Sequence, residues 1–344
     1  MPEPRQHHIL PAFYLAGFTD TGMKDGTLHV FDYARKRSYT SKPEKVARER
    51  DFYRIYKPGI DDYILEKDLW QSLEAGMAPV LRHVSETDMA SPEELGTLLS
   101  LAAMVYIRGR RGLERVYLGV EQQMRAGLQD GTLNAEAWQE VRELHRLAGE
   151  EDPAATQITY EEARQRVRED ETWSPIAPRD YVLNRIDELY NIILDSLLPN
   201  SREGHLWSLA VSNPDAGEFV TSDSPLSWGT ELPWEPGYKK VERIDNLNLD
   251  HSLDNPDLII SFPLNKKHAL ITRPFDRGSE RRHFRYEATA AVVAWINTRT
   301  QLASMGTLYS ASGDFGLLRK GNRILRSINA FAHWDHLRRG AGLL

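Results

Sequence analysis

An α+β fold follows from three features of this chain. Short strand-like segments rich in aromatic and β-branched residues stand near both ends, apolar residues spaced at three and four fill the middle, and turn signals separate the two. The expected architecture is a small N-terminal β element over residues 1–58, a helical layer over 60–199 and a C-terminal part over 204–344. That last part is expected to hold a mixed or antiparallel sheet with flanking helices, and the whole to form one domain.

The elements are expected in this order. A short apolar helix follows Pro11, because proline suits the first helical turn, where its missing N–H costs nothing. Thr27–Tyr33 and Ser38–Thr40 flank the polar turn Ala34-Arg35-Lys36-Arg37 as a hairpin, and Phe52–Tyr56 reads as a third strand. Leu65, Leu69, Trp70, Leu73, Met77, Val80, Leu81 and Val84 mark an amphipathic helix. Ser91-Pro92-Glu93-Glu94 is a capping-box start for a helix running toward Leu128, weakened at Gly109, Gly112 and Gly119, where a break or kink is expected. Helices over about 135–147 and 180–198 complete the layer. Strands are expected at 205–211, 218–221, 258–264, 268–272 and 307–310, and helices at 285–305 and 323–337. The irregular stretch from Trp228 to Asp254 has the length and composition of a functional loop.

Composition narrows the chemistry. The 344 residues are 41% hydrophobic and 27% charged, a globular balance, and the absence of cysteine excludes disulfides, thiol catalysis, Cys-ligated zinc and Fe–S clusters. P-loop, G-x-G-x-x-G, G-x-S-x-G and H-E-x-x-H patterns are absent too. Haem, flavin and NAD are not expected, and a metal, if used, is Mg²⁺ or Mn²⁺ held by His, Asp or Glu. No apolar run is long enough for a signal peptide or a membrane span, so a cytoplasmic protein without membrane contact is expected. The net charge of −7 is uneven: residues 130–171 carry 12 acids against 5 arginines, and 305–344 carry six bases against two acids. Such patches suit contact with DNA or RNA at one surface, and equally two solvated faces.

Three polar clusters sit at element junctions. Gln6, His7 and His8 precede the first helix, whose N-terminus favours an anion. Glu49, Arg50 and Asp51 precede the expected strand at Phe52, and Thr221, Ser222 and Asp223 follow another. With Arg108 and Arg111 they suggest a phosphodiester site. His7, His8, Glu49, Asp51 and Asp223 are the catalytic candidates, while Gln6, Arg50, Arg108, Arg111 and Ser222 are the substrate-binding ones. Asp223, Glu49 and His8 would hold the metal. Each cluster has a plainer reading: caps at the opening, an Asx turn at Asp223 leading into Pro225, and ion pairs at Glu49–Asp51 and Arg108–Arg111. The run Arg281-Arg282-His283-Phe284-Arg285 interleaves bases with an aromatic, as single-strand binders do.

Gln6-His7-His8-x-x-Pro11-x-x-Tyr14-Leu15-x-x-Phe18, Glu49-Arg50-Asp51-Phe52-Tyr53, Thr221-Ser222-Asp223-x-Pro225, Phe262-Pro263-Leu264, and Asn297 before Tyr309-Ser310 occur in this order. The series resembles the bacterial family catalogued as domain of unknown function 4238, over about residues 6–312. The resemblance implies one continuous domain and no particular reaction. The family's arginine-bearing helix corresponds to Arg108–Arg111, where the glycines interrupting this chain depart from the pattern. The expectation is a nucleic-acid-directed hydrolase, a nuclease, with a bacterial defence role suiting that activity. It would be metal-dependent, or metal-free with His7 and His8 as acid and base. The alternative is a non-catalytic module that senses a small anionic ligand or binds a protein partner or a second copy.

Overall fold

The computed structural model describes residues 6–56, 59, 63–149, 152, 156–198, 206–229, 259–273, 283–319 and 323–340. It is an α+β fold. Strand β1 (Gln6–His8) pairs antiparallel with β4 (Arg48–Arg50), and helix α1 (Ala12–Ala16) follows β1. Pro11 stands before that helix as its cap (φ −57°, ψ 136°), not in its first turn. The histidines therefore lie on a strand, and a five-residue helix offers them no anion-binding terminus. The hairpin of β2 (Leu28–Asp32) and β3 (Arg37–Ser41) forms as expected. Phe52–Tyr56 is not a strand. Asp51 adopts a left-handed backbone (φ 56°), which turns the chain out of β4 and places the strand at 48–50 instead.

The helical layer begins with a π-helical stretch, Leu65–Trp70, continuous with α2 (Gln71–Thr87). Helix α3 (Pro92–Arg108) opens on the expected capping box: Ser91 Oγ accepts from the Glu94 N–H at 3.2 Å, and Glu94 accepts from the Ser91 N–H at 2.8 Å. Gly109 is extended (φ −75°, ψ 154°) and separates α3 from α4 (Arg110–Asp130). Helix α5 (Ala135–Leu147) matches expectation, and α6 (Tyr160–Glu169) was not foreseen although Thr159 and Glu162 form its capping box. The expected helix near 180–198 is two pieces, α7 (Arg179–Leu183) and α8 (Ile186–Leu197).

Among its described residues, the C-terminal part contributes to a two-stranded sheet and to two larger ones. One is ordered β10-β5-β9-β8-β7, from β5 (Leu206–Ser212), β7 (Ser227–Gly229), β8 (Ile259–Pro263), β9 (His268–Arg273) and β10 (His283–Ala288); β10 and β5 are parallel and the other pairs antiparallel. The other is ordered β3-β2-β11-β6, where β6 is Thr221–Ser222 and β11 is Thr307–Ser310. The N-terminal hairpin and the C-terminal strands thus share a sheet. Two helix expectations are corrected. Residues 283–288 are β10, paired with β5, so the helix starts only at α9 (Ala290–Ala303), capped by Thr289. Residues 323–326 are β13 (Arg323–Arg326), paired with β12 (Gly316–Arg319), ahead of α10 (Ala330–Gly340). The expected loop lies outside the described residues from 230 onward, as do Arg281 and Arg282 of the basic run. Among the described residues, no helix is long and apolar enough to cross a membrane.

Candidate functional site

The β1–β4 register sorts the first two clusters onto two faces. Gln6 lies opposite Arg50, His7 opposite Glu49 and His8 opposite Arg48. Paired residues of an antiparallel ladder share a face, so Gln6, His8, Arg48 and Arg50 stand together on one face, and His7 and Glu49 on the other. Gln6, Arg48 and Arg50 are exposed and His8 is half-buried. Burial pushes the His8 pKa down to about 4; the charges of Arg108, Arg48 and Lys24 act in the same direction, against a hydrogen bond to the Leu10 backbone. The imidazole is neutral at pH 7.

His7 is fully buried and structural. Its Nδ1 accepts from the Tyr53 N–H at 2.7 Å, its ring stacks on Tyr53 at 5.7 Å, and the Tyr63 ring meets its edge at 5.5 Å. Tyr53 in turn donates its hydroxyl to the Arg108 carbonyl. The Arg108 guanidinium, 1% exposed, pairs with Glu66 at 3.1 and 3.2 Å and with Glu74, and lies 5.3 Å from the Trp70 ring. Glu66 comes from the π-helical stretch, which sets it beside Arg108. Arg108 therefore holds the helical layer together and has no room for a substrate phosphate. Losing it would leave two carboxylates uncompensated, at a cost of roughly 3–5 kcal/mol.

The break at Gly109 brings the remaining cluster in. Arg110, in the first turn of α4, ion-pairs with Glu49, and its charge also reaches Asp223. The Asp223 carboxylate accepts from the Met305 N–H at 2.7 Å and the Thr307 N–H at 3.0 Å, clamping the turn between α9 and β11. Burial pushes its pKa up to about 6, opposed by those amides and by Arg110. Ser222 is fully buried and its Oγ accepts from the Ser224 N–H at 3.2 Å. Arg111 donates to the Ala303 carbonyl at 2.8 Å, at the C-terminal end of α9. Asp51 accepts from the Tyr63 hydroxyl at 3.3 Å and lies 3.4 Å from the Arg50 Nε.

These contacts bring the three clusters to one junction without forming a metal cage. Asp223 spends both oxygens on backbone amides, Glu49 is engaged by Arg110, and His8 faces away from Glu49 across the ladder. Among the described residues, no group of three or more His, Asp or Glu side chains could hold a metal ion. As they stand, Asp223, Glu49 and His8 do not fit Mg²⁺ or Mn²⁺. Sequence reasoning grouped Arg110 with Arg108 and Arg111 without foreseeing that it joins the clusters through Glu49 and Asp223, and it missed Arg48, the ladder partner of His8. Arg48 falls one residue outside the expected motif, yet its alternation with Arg50 was a readable sign of a shared strand face.

A family model described as Protein of unknown function (DUF4238) matches residues 6–314. No curated protein and no solved structure matches the chain.

Proposed function

We propose that this chain, which belongs to the DUF4238 family of proteins of unknown function, is a module that recognises a phosphate-bearing anion on the outer face of β1 and β4. The observation that carries this is the pairing of Gln6 with Arg50 and of His8 with Arg48. It aims two guanidiniums, an amide and an imidazole to one side of a rigid ladder, where bidentate donors suit phosphate oxygens. Recognition accounts for the arrangement better than catalysis does. A histidine with a pKa near 4 is far from the value that serves proton transfer at neutral pH, and His7 and Asp223 are fully used in holding the fold.

One observation favours a second reading, cleavage of RNA. His8 is neutral, and among the described residues its Nδ1, though buried from solvent, has no hydrogen-bond partner. In that reading His8 takes the proton of a 2′-hydroxyl, the 2′-oxygen bonds to phosphorus, and the 5′-oxygen leaves with a proton from water.

The test is fluorescence anisotropy with labelled inorganic polyphosphate and short oligonucleotides across a salt series. Arg48→Ala/Arg50→Ala should weaken binding and reduce the log–log salt slope by about 2, one phosphate contact per arginine. Equal affinities and slopes for wild type and variant would refute the proposed face. Parallel incubation of RNA and DNA with Mg²⁺, Mn²⁺ or EDTA decides the second reading: cleavage that survives EDTA and disappears in His8→Gln would establish it.

A further inference from the structure

We propose that the ligand of this face is single-stranded nucleic acid, with one base stacked on Tyr56. The inference rests on the anion-recognition reading above and adds the class of ligand.

Tyr56 is an aromatic side chain held at the surface. The residue is 37% exposed, while its backbone N–H is fixed by the buried Asp180, whose Oδ2 accepts at 2.7 Å. Arg54 lies 5.0 Å over the Tyr56 ring and 6.0 Å from the Tyr63 ring, so one guanidinium is shared between an exposed and a buried tyrosine. The series continues inward. Tyr63 meets the His7 edge, His7 stacks on Tyr53, and Arg108 lies 5.9 Å from Tyr53 and 5.3 Å from Trp70. Tyr56 is thus the outer end of a chain of ring and guanidinium contacts that runs into the core. Side chains fixed in this way lose little conformational entropy when another planar group lands on them.

The position fits the phosphate-binding face. Arg50 Nε lies 3.4 Å from Asp51, whose carboxylate accepts from the Tyr63 hydroxyl at 3.3 Å, and Arg54 links Tyr63 to Tyr56; only five residues separate Arg50 from Tyr56, a reach of at most about 20 Å. A backbone gripped by arginines with bases stacked on aromatic and guanidinium planes is how proteins hold single strands. A duplex keeps its bases stacked on one another and cannot offer one to Tyr56. Polyphosphate has none to offer.

Anisotropy with a labelled single-stranded oligonucleotide, its duplex and polyphosphate separates the outcomes. The single strand should bind most tightly. Tyr56→Ala should weaken it about tenfold, the worth of one stacked base, and leave polyphosphate binding unchanged, while Tyr56→Phe should retain affinity. Circular dichroism establishes that each variant is folded. If Tyr56→Ala binds the single strand like wild type while Arg48→Ala/Arg50→Ala still weakens every polyanion, the stacking role is overturned and anion recognition stands. If wild type binds none of the three, both are overturned.

Discussion

Arg110, in the first turn of α4, forms an ion pair with Glu49 on β4. The pair spans the gap between the N-terminal ladder and the α3–α4 junction, and the same guanidinium acts on Asp223. Glu49 stands between Arg48 and Arg50 in the strand but points to the opposite face of the ladder, where it holds a third arginine at the surface and sets a negative charge behind the other two. Arg110 is 58% exposed and Glu49 35%.

Because the pair is that exposed, Glu49→Gln should change stability by less than about 1 kcal/mol. It should also raise affinity for polyphosphate about two- to fivefold at low ionic strength, with the gain fading as salt screens the charges. Adding Arg110→Ala should remove the gain. Melting curves and salt-dependent anisotropy measure both effects; an affinity that stays the same at low salt would mean that Arg110 and Glu49 play no part in anion recognition.

Three glycines near the α3–α4 junction carry three different requirements. Gly109 supplies the extended link between the helices. A Cβ at Gly112 would lie 2.0 Å from the Tyr106 carbonyl oxygen and 2.8 Å from its carbon, so α4 begins there in direct backbone contact with the end of α3. At Gly119 a Cβ would meet nothing within 4 Å. Gly112→Ala should therefore destabilise the protein by about 1–3 kcal/mol or more. Gly119→Ala, inside a regular helix, should stabilise it by about 0.5–1 kcal/mol. Denaturant unfolding of the two variants reads this directly, and a tolerated Gly112→Ala would contradict the close approach at the junction.

Those glycines also show where sequence reading stops. Their weakening effect on a helix was legible, but only the neighbouring backbone tells that one breaks it, one permits contact and one does neither. The capping boxes, the β2–β3 hairpin and α5 were legible because their signals are local. Residues 285–288 and 323–326 were misread as helix because a partner strand elsewhere in the chain decides their state. The motif residues were found, while their work was not. Tyr14 donates to the Pro263 carbonyl at 2.7 Å and lies 2.8 Å from the Thr221 hydroxyl. Asn297 accepts from the Val220 N–H at 3.0 Å and donates to the Glu218 and Gly316 carbonyls. Together with Asp223, they hold the segment around β6 in place. An ordered series of polar motif residues reads alike whether it builds a reaction centre or joins two sheets; burial and partners, which depend on the whole fold, separate the two.

His8 and Asp223 should leave opposite marks on the pH dependence of stability. The folded His8 pKa, about 4, lies below the ordinary 6.5, so its contribution is complete above pH 6.5 and is lost as pH falls toward 4, where the unfolded chain takes up the proton first. The folded Asp223 pKa, about 6, lies above the ordinary 3.8, so its contribution is complete below pH 3.8 and is lost as pH rises toward 6. The stability difference between wild type and His8→Gln should then shrink by up to about 1.4 kcal/mol per pH unit on going from pH 6.5 to 4. The difference between wild type and Asp223→Asn should grow over the same descent, with the change concentrated between pH 6 and 4. Urea unfolding at several pH values supplies both curves, and comparing differences cancels groups common to the two proteins. A His8→Gln curve parallel to wild type would mean that His8 titrates as freely when folded as when unfolded, removing the burial of its ring and the effect of the Arg108, Arg48 and Lys24 charges on it. A parallel Asp223→Asn curve would mean that the carboxylate is not buried in the clamp over Met305 and Thr307.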